Sequence, residues 1–167
     1  MADRTDAFYA AENAIHGYGA QFMVGNGASP EAFEAVAGVI GITMGEMATE
    51  DIDRTHLRSP RTHREHMPGM RDSKAFDINL IWLPTEQSQS NTGGGSGAFA
   101  TGGTVAHWRD RQTRNYKIAL MDGGSPGTEL PLRGYIAGFQ PSEIGVADKI
   151  NARARFQPTE AFDHLWP

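Results

Sequence analysis

Cysteine is absent from the chain, which removes disulfide staples, thiolate metal ligands and cysteine nucleophiles together. No stretch approaches the ~18 consecutive apolar residues of a membrane span. The opening Met1-Ala2-Asp3-Arg4-Thr5-Asp6 carries acids with no apolar run behind it, so no secretory signal is visible. The expectation is a chain made in the cytoplasm with no membrane partner. Positive charge is also scarce: 15 Lys and Arg stand against 20 Asp and Glu, a net charge of −5. That balance argues against nonspecific nucleic-acid binding, which needs an electropositive footprint.

What the chain does have is glycine and proline, 20 and 9 among 167 residues, a sign of many turns and short strands. A single domain of this length buries ~70% of the surface its unfolded chain exposes. Residues 1–20 read as an N-terminal arm, 21–157 as one β-domain and 158–167 as a C-terminal tail. In the arm, Phe8, Tyr9, Glu12 and Ile15 fit two turns of amphipathic helix stopped by Gly17 and Gly19, and an extended arm docking on a neighbour fits equally.

Strands are expected at Gln21–Val24, Phe33–Met44, Glu46–Leu57, Phe76–Trp82, Asn115–Met121, Leu130–Phe139 and Val146–Phe156, from alternation and β-branched content. Gly25–Pro30 reads as a turn; its Gly-x-Gly lacks the third glycine and following helix of a phosphate loop. Residues 87–97, rich in Ser, Gln and Gly, read as a flexible polar loop. One short helix is expected near 104–113, with Thr104 as its N-cap. The fold class is mainly β: an antiparallel β-sandwich or half-barrel with one flanking α-helix and a long inter-strand loop over 56–72.

No residue set here reads as catalytic. There is no Gly-x-Ser-x-Gly elbow, and Ser59 precedes a proline in an arginine-rich loop. Acids on strands are most simply a solvated face. His63-x-x-His66 has metal-ligand spacing, but Arg58, Arg61, Arg64 and Arg71 crowd it and oppose a divalent ion. No metal or cofactor is expected. The same arginines suit a nucleic-acid patch or an interface with carboxylates of an identical neighbour. The loop has no aromatic residue for base stacking, which favours the interface.

Several segments occur in an order that carries a resemblance. They are Phe33-Glu34-Ala35-Val36, then Ile52-Asp53-Arg54-Thr55-His56-Leu57-Arg58-Ser59, then Arg64-Glu65-His66-Met67-Pro68-Gly69-Met70-Arg71-Asp72. Phe76-Asp77-Ile78-Asn79-Leu80, Tyr116–Gly123, Gly134–Pro141 and Asp148–Ala154 follow. Over about residues 30–157 this series resembles the major tail tube protein of long-tailed, siphovirus-like phages. The resemblance implies a non-enzymatic structural subunit of the virion tail, forming stacked, hexameric rings around the channel for DNA ejection. The partners it implies are other copies of the chain, the tape-measure protein, the tail terminator and the distal-tail or baseplate proteins. Tube proteins of type VI secretion and contractile tails share that fold and remain alternatives, with a β-rich nucleic-acid-binding module behind them.

On that reading, Arg58, Arg61, Arg64, Met67, Pro68, Met70 and Arg71 are expected at inter-ring or subunit interfaces. Apolar residues at the chain ends, Phe8, Tyr9 and Trp166, join them. The run Phe76, Ile78, Leu80, Trp82 points Asp77 and Asn79 to the other face. These two, with Glu46, Glu50, Asp51, Asp53 and Asp148, are the lumen-facing candidates. A wall of like sign to phosphate lets DNA pass without specific binding. Lys149, Arg153 and Arg155 fit such a wall only if paired with carboxylates or turned outward.

Overall fold

The computed structural model describes residues 19–56, 58, 63–93, 97–122, 125–142 and 149–160. Nine strands are present among them: β1 (Gln21–Gly25), β2 (Phe33–Ala35), β3 (Val39–Thr43), β4 (Met47–Asp53), β5 (His66–Ser73), β6 (Phe76–Ile81), β7 (Arg114–Asp122), β8 (Ser125–Pro141) and β9 (Asn151–Pro158). A 3-10 turn at Gly97–Phe99 and one α-helix, α1 (Thr104–Asp110), lie between β6 and β7. All pairings are antiparallel. Seven strands form one sheet in the order β2-β1-β7-β8-β9-β6-β3, and β4 with β5 forms a separate pair.

The long β8 turns this sheet into two layers. Its residues 125–134 pair with β7, and residues 134–141 pair with β9. Gly134 is the shared point, and a Cβ there would run into the Gln157 carbonyl and the Phe156 ring. Phe22 of β1 and Phe156 of β9 sit three strands apart in the sheet order, a span of ~14 Å in a flat sheet. Their ring centroids are 6.1 Å apart. The sheet is therefore folded over its own apolar face, an open sandwich with the core inside.

That core follows from period-two patterning. Phe22 and Val24, Phe76, Ile78 and Leu80, Tyr116 and Ile118, Leu130 and Leu132, and Ala152, Ala154 and Phe156 are all buried on alternate positions. Tyr116 stacks on Phe22 at 5.3 Å and meets Phe156 edge-on at 4.9 Å, arrangements aromatic pairs favour. The expected inward set of β6 is confirmed for Phe76, Ile78 and Leu80.

Four expectations need correction. Phe33–Met44 is not one strand: Gly38, at φ 72, lies between β2 and β3, which end up on opposite edges of the sheet. The long loop covers 54–65, because His66–Ser73 is strand β5; a bulge in β5, which sets Gly69 and Met70 against Glu50 alone, absorbs the Pro68-Gly69 interruption that hid the pattern. The helix is shorter than expected, ending at Asp110, and Gly103 rather than Thr104 is its N-cap. Within the polar segment 87–97, Ser88 and Gln89 are buried rather than solvated.

Gln89 explains that burial. Its amide donates to the carbonyls of Ala37 (2.7 Å) and Ile81 (2.9 Å), and its oxygen accepts from the Leu83 backbone (2.8 Å). Ser88 Oγ accepts from the Ala37 N–H at 3.0 Å, and the Ser88 carbonyl accepts from the Thr104 hydroxyl at 2.9 Å. The segment thus ties the β2–β3 connection, the end of β6 and the start of α1 together. Buried backbone groups outside a ladder need such partners.

Candidate functional site

The β4–β5 hairpin stands apart from the sandwich. Met47 pairs with Ser73, Thr49 with Arg71, Asp51 with Pro68, Ile52 with Met67 and Asp53 with His66. Most positions on both strands are exposed. Met70 is 82% exposed and Met47, Met67 and Ile52 between 40% and 49%. At its base, Lys74 Nζ lies 2.8 Å from Glu46 Oε2, which holds Glu46 below the usual carboxylate range and raises Lys74.

At the other end the 54–65 loop is closed locally. The Arg54 N–H donates to the Glu65 carbonyl at 2.9 Å, and the Glu65 N–H donates to Thr55 Oγ1 at 3.0 Å. Asp53 Oδ1 accepts the Thr55 N–H at 2.8 Å, and the hydrogen bonds from Thr55 lower its pKa. His66 Nδ1 is 2.8 Å from Asp51 Oδ2, and Arg54 lies 3.7 Å from Glu65. His66 Nδ1 is thus committed to a carboxylate. Among the described residues no group of His, Asp and Glu is arranged to hold a metal ion.

The expected interface residues gather on this hairpin. Met67, Pro68, Met70 and Arg71 lie on β5, while Arg58 and Arg64 are exposed in the loop. Arg61, Phe8, Tyr9 and Trp166 fall outside the described residues. The acidic residues divide in two. Glu46, Glu50, Asp51 and Asp53 belong to the hairpin, whereas Asp77 and Asn79 lie on β6, pointing away from the core; Asp148 is outside the described residues.

On that outer face β6 and β9 are in register. Asp77 is opposite Arg155, and Asn79 is opposite Arg153. Asp77 lies 3.7 Å from Arg153 and 3.5 Å from Arg155, and Arg153 also donates to Gln140 at 3.2 Å. The two arginines of β9 therefore share the single carboxylate of Asp77, which leaves the trio with one net positive charge; cross-strand pairs of opposite charge are an ordinary stabilising unit of a sheet face.

Residues 16–124 match the family described as lambda phage tail tube protein. The chain belongs to that family. It is a tail tube protein, and the ordered motifs from Phe33 to Ala154 are the sequence signal that pointed there. Solved structures show the same fold. A chain of the virion of a native gene transfer agent particle is 13% identical with a TM-score of 0.60, covering 89% of this chain and 96% of that one. A chain of the tail of an empty gene transfer agent particle, refined with C6 symmetry, is 12% identical with a TM-score of 0.59 over the same shares. A chain of an extracellular contractile injection system sheath–tube complex is 11% identical with a TM-score of 0.60, covering 95% of this chain and 96% of that one. No curated protein sequence matches the chain.

Proposed function

We propose that this tail tube protein is a non-enzymatic building block whose copies form stacked six-membered rings around a channel for DNA ejection. The projecting hairpin carries the reading. A two-stranded ribbon is marginal on its own in water, and this one leaves Met47, Met67 and Met70 exposed, with Arg58 and Arg64 exposed in its loop. Methionine adapts to irregular partner surfaces, and arginine forks match carboxylates. Arg58, Arg61, Arg64, Met67, Pro68, Met70 and Arg71 contact the neighbouring subunit or ring, with Phe8, Tyr9 and Trp166 adding apolar contacts from the chain ends. The six-fold symmetry of the similar gene transfer agent tail supports the ring size.

The channel wall includes Asp77 and Asn79, with Glu46, Glu50, Asp51, Asp53 and Asp148 as further acids. The ion pairs of Arg153 and Arg155 with Asp77 lower the positive charge of that face without cancelling it, since one carboxylate meets two guanidiniums. The hairpin acids and Asp148 supply the remaining negative charge, and cations that a carboxylate partly neutralises offer less to a passing phosphate. DNA then moves without specific binding. The tape-measure protein occupies the channel before ejection, while terminator and distal-tail or baseplate proteins close the ends. The subunit resides in the virion tail and is made in the host cytoplasm.

Electron microscopy of the purified protein tests the reading. Wild type should give rings or tubes, and the double substitution Arg61→Glu with Arg64→Glu should give folded, discrete subunits. Normal tubes from the double variant would remove the hairpin loop from the interface. Monomers alone from wild type at every concentration would remove the tube.

A further inference from the structure

An apolar groove of about 330 Å³ opens at the end of the sandwich where β1 begins. Ile40 and Ile42 of β3, with Met44 just after it, supply one wall; Ile118 and Leu120 of β7 supply the other, and Ala20 stands at the rim. Ile40 is 56% and Met44 42% exposed, beside the core residue Ile118 at 3%. β3 also ends the sheet order, so its outer edge faces no further strand among the described residues. An apolar cleft continuous with the core, beside an unpaired strand edge, is a surface that proteins cover.

We propose that this groove seats the chain's own N-terminal segment, residues 11–18. Ala20 both lines the groove and continues directly from that segment, so the segment starts at the rim. Ile15 is five residues away, within ~17 Å of Ala20 even fully extended. Ala11, Ala14 and Ile15 recur at intervals of three and four, an apolar stripe that ends before Gly17, and Tyr18 adds an aromatic ring beyond it. Glu12, Asn13 and His16 occupy the positions between. A tethered segment is present at an effective concentration in the millimolar range, which favours it over the same segment from a separate copy. The seating leaves Phe8 and Tyr9 beyond the groove, free to contact a neighbour as proposed above. It anchors the base of the arm and covers the exposed edge of β3 in the free subunit.

The absence of cysteine makes the test clean. In the full chain, Ile15→Cys with Ile40→Cys should form a disulfide on mild oxidation within one chain, at monomer mass. Ile15→Cys with Thr113→Cys should not, because Thr113 precedes the opposite end of β7, ~20 Å from Leu120. Mixing isotopically light and heavy chains distinguishes the sources, and a disulfide that joins only different chains overturns the proposal. A second variant, Ile15→Asp, should speed hydrogen exchange at residues 39–43 roughly tenfold, by uncovering apolar surface beside that edge. Unchanged exchange there, or no cross-link to Ile40→Cys, also overturns it. Both measurements use the free subunit, so they can fail while tubes still form, and succeed where none do.

Discussion

Acidification should loosen α1 through His107. This histidine is 1% exposed, and neither ring nitrogen has a hydrogen-bond partner. Burial, with the Arg114 guanidinium as a second cause and Asp110 partly opposing, lowers its pKa from 6.5 to about 4. The folded state therefore holds the imidazole neutral in a range where the unfolded chain binds a proton. Stability from this group is complete above pH 6.5 and is lost as pH falls through 4. Linkage with those two values puts the loss at ~2 kcal/mol by pH 5 and ~3 kcal/mol by pH 4. Carboxylates held below their usual range, such as Asp53 and Asp110, lose stability in the same direction, so wild type alone cannot isolate the effect. His107→Leu supplies the reference, since it keeps an apolar side chain in the site and cannot titrate. Urea unfolding followed by circular dichroism, from pH 7 to pH 4 at fixed protein concentration, should show the gap between wild type and variant changing by ~3 kcal/mol in favour of the variant. Parallel pH profiles for the two proteins would refute the reasoning.

Three further outcomes are expected. Tyr116→Phe removes a buried hydroxyl that has no partner and should leave stability unchanged or raise it by up to ~1 kcal/mol, read as a shift in urea midpoint. Gln89→Leu strands the Ala37 and Ile81 carbonyls and the Leu83 N–H, and should cost ~2–4 kcal/mol with faster hydrogen exchange at the β2–β3 connection; a cost below 1 kcal/mol would show those groups re-paired. Asp77→Lys sets a third cation beside Arg153 and Arg155 and, if the face lines the channel, should lower infectivity while tails still assemble by electron microscopy.

Residue order alone was enough to say which side chains of β6 and β9 face the core. Side chains alternate across a strand, so Phe76, Ile78 and Leu80 could only be buried together, with Asp77 and Asn79 on the other side. Turn chemistry at Gly25–Pro30 was equally legible, because Asn26 closes it locally, accepting the Ala28 and Ala32 N–H groups on its side chain. The family was legible too, because its motifs are local words in a set order. Features that depend on distant backbone emerged only once the chain was folded. Whether Phe33–Met44 is one strand or two turns on Gly38 meeting the end of β6. Whether His66–Ser73 is loop or strand depends on β5 bulging, with Gly69 and Met70 set against the single Glu50 of β4. Gln89 looks like any loop glutamine until the folded chain leaves two carbonyls and an N–H around it without ladder partners. His107 looks like an ordinary helix residue until the packing of α1 on the sandwich takes it out of water. The acidic residues, similar in composition, were divided by topology between a projecting hairpin and a sheet face. Periodicity reports which side of its own strand a residue occupies; only the long-range pairings say what lies across from it.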